Sequence, residues 1–401
     1  QVLRIFPSDE AQVNLVRALE DEEYLQLDFW TSPSRVLLPI DIRVPLHHLQ
    51  SVKVYLESNS IQYSIMIHDV QVTKSFSHSD LKYLSVLVNI GNSYIVCNIK
   101  VLEITVLRPY KIKFSFKTVI TERRMGKNVI KVANSRNKNK NLHFTITGPN
   151  RPAFWIDTGI HSREWVTQAS AVWFAKKIVT DFGKDPSLTN TLNQMDILIE
   201  IVTNPDGFVY THKSDRMWRK TRSPNSGSLC VGTDPNRNWD AGFGGPGSSS
   251  NPCTETYRGR AAHSEPEVKA IVDFVKSHGN IKGFVSIHSY SQMLLFPYGY
   301  TNTRVPDHDE LNAVSKKAIT ALASLYGTAY TYGSIISTIY QASGGTIDWT
   351  YNQGIKHSYS FELRDTGRYG FALPANQIIP TAEETWLALT ILIEHTRDNL
   401  Y

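Results

Sequence analysis

The sequence predicts an α/β protein in two successive units. A three-layer region with a central mixed sheet spans residues 148–401, and a small α+β sandwich over residues 1–71 precedes it. Three observations predict this. In the first 70 residues, apolar positions switch between period 2 and period 3.6 in the order β-α-β-β-α-β. From Gly148 onward, short apolar runs alternate with amphipathic stretches that carry helix punctuation. Between the two, residues 72–147 differ in texture, rich in Lys, Asn, Ile, Phe and Tyr and poor in acids.

In the first unit, "QVLRIF" reads as a strand, and Ser8 as the cap of an amphipathic helix through "DEAQVNLVRALEDE" with Val13, Val16 and Leu19 on one side. "YLQLDFW" alternates with Leu25, Leu27 and Phe29 on one face, and "PIDIRVP" with Ile40, Ile42 and Val44. Leu46, Leu49, Val52 and Leu56 then fall at helical spacing, and "IQYSIMIHD" closes the unit with Ile61, Tyr63, Ile65 and Ile67. That order is the ferredoxin-like sandwich. His47 and His48 read as a solvated helix face, so the unit holds no catalytic cluster. It binds or covers something.

The middle segment favours strand over residues 84–107 and 111–121. It is also where the charge sits. Residues 72–150 carry fourteen Lys/Arg against Asp80, Glu103 and Glu122, a net +11, which leaves −6 for the rest of a chain of net +5. "NSRNKNKN" (134–141) is basic enough to meet nucleic acid, but no aromatic-studded recognition module accompanies it. It reads as a solvated loop, and no nucleic-acid partner is expected.

The third region offers the apolar strands "AFWIDTGI", "DILIEIVT", "KGFVSIHS" and "KHSYSFEL". Ser264 with Glu267, and Thr381 with Glu384, have capping-box spacing before "VKAIVDFVKSHG" and "TWLALTILIEHTRDN", with Gly279 as a helix stop. In such sheets ligands gather where strands end and loops begin.

At 401 residues the chain exceeds one ordinary domain, and 41% apolar with 20% charged residues is an ordinary globular composition. No apolar run approaches the roughly 20 residues that span a bilayer, so no membrane partner is expected. The sequence opens at Gln1 without a leader, which reads as a removed signal segment or a fragment. Of three cysteines, Cys230 and Cys253 lie in polar stretches separated by a span a disulfide could close, and Cys97 is left over. No C-x-x-C spacing suggests a metal. One bridge and a spare thiol suit a secreted protein.

Among thirteen histidines, one His-x-x-Glu pair is weak evidence by itself. The stretch "GIHSREW" nevertheless puts His161 and Glu164 just after an apolar strand, where the chain turns into a helix. A catalytic zinc needs three nitrogen or oxygen ligands and an open position. His288, at the end of the strand in "GFVSIHSYSQ", falls where a third ligand is expected, although such a histidine is commonly a hydrogen-bonded core edge. His212/Asp215 and His395/Asp398 have similar spacing but read as solvated. Glu362 ends another strand, where an acid is costly unless paired or functional. Arg364 is its alternative partner. Arg216, Arg219, Asn236 and Arg237 lie in polar loops, and arginine forks suit carboxylates.

"GIHSREW", "NPDG" (204–207), "DPNRNWD", "HSYSQ", "IYQASGGTIDW" (339–349) and "FELRDTGRYGF" together resemble the signature segments of the zinc metallocarboxypeptidases, of the pancreatic procarboxypeptidase type. The likeness runs from Gly148 to Tyr401 and again from Gln1 to about Gln71. It implies one Zn2+ per chain held by His161, Glu164 and His288, a zinc site of the His₂Glu type. It implies Glu362 as general base and Arg219 as oxyanion partner. Asn236, Arg237 and Tyr340 would hold a substrate's terminal carboxylate, with Arg163 a further contact and Ser289 and Tyr290 a wall beside the preceding residues. Cys230 and Cys253 would form the family's bridge. Where relatives specific for basic residues carry an acid, this chain has Ile347, implying removal of apolar or aromatic C-terminal residues. Residues 1–71 would be an inhibitory activation segment, making the chain a secreted, monomeric zymogen that acts on peptide or protein C-termini after a serine protease cuts it.

Residues 72–147, a connector and the start of the catalytic region by position, do not match the family's pattern. Between Arg43 and Arg108 there is no Arg at which to cut, and Lys74 and Lys82 are the nearest substitutes. Composition favours translation outside the genuine reading frame over a lineage-specific replacement. A rival function follows: a non-catalytic binding or decoy protein that keeps the pocket and cannot mature. The retained Glu362 argues for the enzyme, since a decoy has no need of a base.

Overall fold

A computed structural model describes residues 1–20, 22–36, 38–70, 122–125, 128–133, 141–145 and 150–401. The strands expected within 84–121, the basic run 134–140, Cys97, Lys74 and Lys82 lie outside the described residues.

The first unit runs β1 (Val2–Phe6), α1 (Glu10–Ala18), β2 (Asp28–Phe29), β3 (Ile40–Arg43), α2 (Leu49–Ser58) and β4 (Gln62–Ile67). Its sheet has the antiparallel order β2-β3-β1-β4, the ferredoxin-like arrangement. Leu3, Ile5, Val16, Leu19, Ile42, Val52 and Leu56 form its core. Three local expectations change. Asp9, not Ser8, caps α1, its carboxylate accepting the Gln12 N–H at 2.8 Å. Leu46 is 83% exposed because α2 begins only at Leu49, after a 3-10 turn. In "YLQLDFW" a 3-10 turn leaves a strand of two residues, and Asp28 and Trp30 are buried as well as Leu25. Trp30 packs with Met217, Tyr290 and Phe371 of the following unit instead of with the local core.

The second unit builds one mixed sheet. Its strands are β5 (Glu122–Met125), β6 (Asn128–Ala133), β7 (Asn141–Thr145), β8 (Ala153–Thr158), β9 (Asp196–Glu200), β10 (Ile281–Ser289), β11 (Met293–Phe296), β12 (Thr331–Ser334) and β13 (His357–Leu363), in the order β12-β11-β13-β10-β8-β9-β7-β6-β5. The centre, β13-β10-β8-β9, is parallel, and β7, β6 and β5 continue it antiparallel from β9. The sheet thus reaches back before Gly148.

Period 2 divides the central strands between two cores. Phe154, Ile156, Val285, Ile287, Tyr359 and Phe361 meet α3 (Trp165–Asp181), α4 (Pro186–Gln194), α7 (His308–Tyr326) and α10 (Ile378–Asp398). Trp155 and Phe284 meet α6 (Pro266–His278) and α9 (Thr346–Asn352) on the other side. The short α5 (Pro205–Lys213) and α8 (Ile335–Thr338) complete the α-helices among the described residues. The result is three layers. On β10 and β13, the positions facing the α6/α9 layer near the strand ends are Ser286, His288, Ser360 and Glu362. Polar side chains there leave the core open, and all four line one cavity.

Neither expected capping box forms. Glu265 is the N-cap residue of α6, its carboxylate is spent on Thr221 and Ser223 at 2.7 Å each, and Ser264 accepts from Asn238. Gly279 does end α6, at φ 67°. The final helix starts at Ile378, before Pro380, since a first-turn proline sacrifices no intrahelical bond. Thr381 then back-bonds to the Gln377 carbonyl and Glu384 pairs with Arg364. Among the described residues no helix is long and apolar enough to cross a membrane.

Candidate active site

The turn after β8 and the end of β10 bring His161, Glu164 and His288 together, each at most 3% exposed. Glu164 is the N-cap residue of α3, so its backbone position is set by the strand-to-helix turn. Glu164 Oε1 lies 2.7 Å from His161 Nδ1, Oε2 lies 3.2 Å from His288 Nδ1, and the two Nδ1 atoms are 3.1 Å apart.

The far side of each ring is also held. His161 Nε2 meets Asp234 Oδ1 at 3.1 Å, and His288 Nε2 meets Ser286 Oγ at 3.3 Å. With Nε2–H given to Asp234, neutral His161 turns a lone pair on Nδ1 toward a carboxylate and a second imidazole. Three electron-rich donors facing inward, with carboxylate support behind, are the donor set a divalent zinc ion fits. Burial pushes His161 down, Arg219 adding to this. Burial would raise Glu164, but the two histidines outweigh it and hold the carboxyl below its ordinary range.

Glu362 stands beside His288 in the parallel β10–β13 register. Arg364, its alternative partner, is instead engaged by Glu384, with Nε to Oε1 at 2.7 Å. Burial pushes the Glu362 carboxyl up to about 8, Glu164 reinforcing and His288, Arg219 and Arg237 opposing. A half-buried carboxyl of raised pKa beside a ligand cluster is what a proton-transferring group requires.

Arg219 is anchored by Asp234 Oδ2, at 2.8 Å from Nη2 and 3.2 Å from Nε. Burial alone would lower its guanidinium, and Asp234 more than reverses that. One aspartate therefore fixes both the His161 ring and the Arg219 cation. Asp234, within "DPNRNWD", has no role that the sequence motif by itself assigns. Its Oδ1 also accepts the Asn236 N–H at 2.9 Å, the Asx signature of the turn carrying Asn236 and Arg237, and that signal was readable.

Asn236, Arg237, Tyr340 and Ile347 join His288 and Glu362 around a cavity that opens to solvent. The Asn236 Oδ1 accepts from Thr346 N and Oγ1 at 2.9 Å each, while its Nδ2 faces His288 Nε2 at 3.5 Å and keeps its second N–H for a ligand. Arg237 is held by Gly247 O at 2.7 Å and Asn236 O at 2.9 Å, with its guanidinium 5.8 Å from the Tyr340 ring. Ile347, 3% exposed on α9, gives the cavity an apolar wall beside Ile335, Ile339 and Leu295.

Arg163, Ser289 and Tyr290 lie apart from this cavity's lining. Arg163 Nη1 meets both oxygens of Asp28 at 2.8 and 2.9 Å, and its guanidinium sits 4.2 Å from the Phe371 ring centre. Ser289 donates its backbone N–H to Glu164 Oε2 at 3.3 Å. Tyr290 donates to Asp41 Oδ2 at 2.5 Å, and its ring meets Trp30 and Phe371. Arg216, read from sequence as a loop cation, is buried and bonds the Arg163 and Phe371 carbonyls.

Asp28, Trp30 and Asp41 were missed from sequence. Their signal was polar or aromatic side chains at strand positions opposite in parity to the local core. Ser34 and Arg35 also reach across, to the carbonyls of Ile339, Ile336 and Ser337. The first unit thus pins the segment that leads to Tyr340.

His212 is exposed and stacks on Trp165 at 4.2 Å, while Asp215 pairs with Arg43 at 3.2 Å. His395 departs from expectation: it is half-buried and meets Glu310 at 2.9 Å. Cys230 and Cys253 form a disulfide with a Cα–Cα distance of 5.1 Å. Closing a loop of that size is worth about 3 kcal/mol in the chain-entropy picture.

Comparison with known proteins agrees with this geometry. A zinc carboxypeptidase family model matches residues 53–388, and a carboxypeptidase activation peptide model matches residues 3–74. Carboxypeptidase A1 of Sus scrofa is 58% identical over 403 residues, covering 100% of this chain and 94% of that protein. Carboxypeptidase A1 of Homo sapiens is 57% identical with the same coverage, and carboxypeptidase A2 of Mus musculus 50% over 402 residues, again covering 100% and 94%. The crystal structure of thrombin activatable fibrinolysis inhibitor superposes with a TM-score of 0.78 at 30% identity, covering 100% of this chain and 99% of that one. The non-catalytic alternative gains no support from these relatives. With its activation segment in place over the site, the chain belongs to the zinc carboxypeptidase family as a zymogen of the carboxypeptidase A type.

Proposed function

We propose that His161, Glu164 and His288 hold the catalytic zinc, that Glu362 is the general base, and that Asn236, Arg237 and Tyr340 select the free C-terminus of an apolar or aromatic residue. The observation that carries this is the strand register, which sets Glu362 beside His288 with both lining the cavity that also bears Arg237. When bound, the ion supplies Lewis acidity for polarising a carbonyl and raising the acidity of water. The side chains do the rest. Glu362 takes one proton from the attacking water and returns it to the amine leaving the broken C–N bond. Arg219 donates to the oxyanion that develops on the scissile carbonyl oxygen; losing one such donor costs about 10²–10³ in rate.

Carboxylate selection follows from donor chemistry. A free C-terminus places two oxygens within reach of a guanidinium, an amide N–H and a phenol, whereas an internal peptide offers one neutral carbonyl. Ile347 provides no counter-charge for a C-terminal Arg or Lys, so burying such a cation there is unfavourable.

The division into an inhibitory segment (1–71), a connector with the start of the catalytic region (72–147) and the main catalytic domain (148–401) belongs to the same reading. So do maturation by a serine protease, a monomeric state and an extracellular, secreted location. The surface disulfide supports the last of these.

Zinc content and peptidase activity, measured before and after mild trypsin treatment, test the proposal. Expected is one zinc per chain held at His161, Glu164 and His288, with release of C-terminal Phe, Tyr or Leu rising after cleavage. Comparable rates on Phe-ended and Arg-ended peptides would overturn the specificity, and absence of zinc would overturn the mechanism.

A further inference from the structure

A second convergence of ligating side chains lies at the opposite end of β13. Glu310, in the first turn of α7, His357, which opens β13, and His395, in the last turn of α10, present ligand atoms within 4.8 Å of one another. Both imidazole Nε2 atoms converge on the same oxygen, Glu310 Oε1, at 3.2 Å from His357 and 2.9 Å from His395. His357 is fully buried, Glu310 and His395 half-buried, so the cluster has a dry back and an approachable front. Five residue steps of strand, from His357 to Glu362, separate it from the catalytic carboxylate, about 16 Å at an ordinary rise per residue.

We propose that Glu310, His357 and His395 form a second divalent-metal site, of two imidazole nitrogens and one carboxylate oxygen, for an ion of the zinc class. Two neutral imidazoles with a carboxylate suit zinc and its borderline neighbours better than magnesium or calcium, which prefer all-oxygen shells. The surroundings are consistent with a dication. Lys356 Nζ already sits between Glu310 Oε2 at 2.6 Å and Asp307 Oδ1 at 3.2 Å, so two carboxylates and one ammonium leave a net charge of −1. Lys356 can lean fully toward Asp307 while Glu310 Oε1 turns to the ion.

The required tautomer costs His357 no hydrogen bond and His395 one. His357 Nδ1 has no hydrogen-bond partner, so no donor behind the ring keeps the proton on Nε2. His395 Nδ1 faces Asn399 Nδ2 at 3.3 Å, and that amide also donates to the His395 carbonyl at 2.8 Å, so presenting a lone pair on Nε2 requires the amide to turn away and give up that bond. Bound there, the ion would tie together α7, β13 and α10, the last covered by Tyr401, whose ring lies 5.5 Å from His357. Its role would be a clamp on the strand that carries Glu362.

The test uses the full chain with its catalytic site already zinc-loaded, titrated with Zn2+ by equilibrium dialysis and by calorimetry. One further equivalent is expected in the parent protein. His395→Ala and Glu310→Gln should weaken that equivalent at least tenfold, with unchanged circular dichroism. Lys356→Met should tighten it, because the competing ammonium is gone. A Glu362→Gln protein should keep it, which separates this site from extra zinc at the catalytic carboxylate. Absence of a further equivalent in the parent, or its persistence at equal affinity in both His395→Ala and Glu310→Gln, would overturn the proposal. Loss in Glu362→Gln alone would overturn it too.

Discussion

Asp28 places both carboxylate oxygens on a single nitrogen of Arg163, at 2.8 and 2.9 Å, across the junction between the first unit and the catalytic unit. Trp30, two residues on, donates its indole N–H to Asp28 at 3.0 Å and packs its ring edge-on against Tyr290 and Phe371. A carboxylate beside an aromatic ring is also the chemistry of the substrates expected here, so the segment covers the cleft with groups of the kind the cleft receives.

Removing one member of a buried ion pair costs about 3–5 kcal/mol, since the other charge is left uncompensated. Asp28→Ala should therefore loosen the covering segment and raise the activity of the uncleaved chain toward a Phe-ended peptide, about tenfold or more. Burial would raise the Asp28 carboxyl, but Arg163 and Arg43 outweigh it and hold it below its ordinary value. Its contribution to docking is therefore present above about pH 4 and is lost as pH falls through the depressed value. Acid exposure should unmask activity in the parent on return to assay pH only if cleavage occurs meanwhile.

Ile347→Asp should move preference toward C-terminal Arg and Lys. The kcat/KM for a Phe-ended peptide should fall by about 10–100-fold as an apolar wall becomes a carboxylate, while an Arg-ended peptide becomes the better substrate. Steady-state rates on the two peptides measure the reversal.

Glu362→Gln keeps the shape of the cavity and removes the base. General-base loss costs about 10²–10⁴ in rate. The expected outcome is a kcat lower by that factor, a KM within a few-fold and full zinc content by atomic absorption.

Asp348, buried in α9 beside Ile347, accepts the Gly299 and Tyr300 N–H groups at 2.8 and 3.2 Å, yet burial pushes its carboxyl up to about 7. Because the folded-state value lies above the unfolded one, its stabilising contribution is complete below about pH 4 and fades as pH rises toward 7. Asp348→Asn removes this titration. The drop in Tm between pH 5 and pH 8 should be smaller in the variant than in the parent, by thermal unfolding at each pH.

Much of this arrangement was legible in the sequence because strand periodicity and strand ends carry it. Alternation in "KHSYSFEL" and "GFVSIHS" puts His288 and Glu362 on one face, and the apolar run "AFWIDTGI" announces the turn that bears His161 and Glu164. Illegible were the groups whose roles depend on another segment. Asp28 reads as an ordinary edge residue until Arg163 is beside it, and Glu384 looks like half of a capping box until Arg364 claims it. His395, taken as a solvated last-turn residue, acquires partners only when α10 lies against α7 and β13. Helix starts were misplaced for a related reason: caps at Glu265 and Asp9 were decided by which side chains had other commitments.

The most direct test is metal stoichiometry and coordination at one zinc per chain. X-ray absorption on protein loaded with a single equivalent should give nitrogen and oxygen scatterers at about 2.0–2.1 Å, no sulfur, and two imidazoles in the shell. In His288→Ala that first equivalent should bind far more weakly and peptidase activity after trypsin should vanish. Retention of tight stoichiometric zinc with full activity in His288→Ala would contradict the account at its centre.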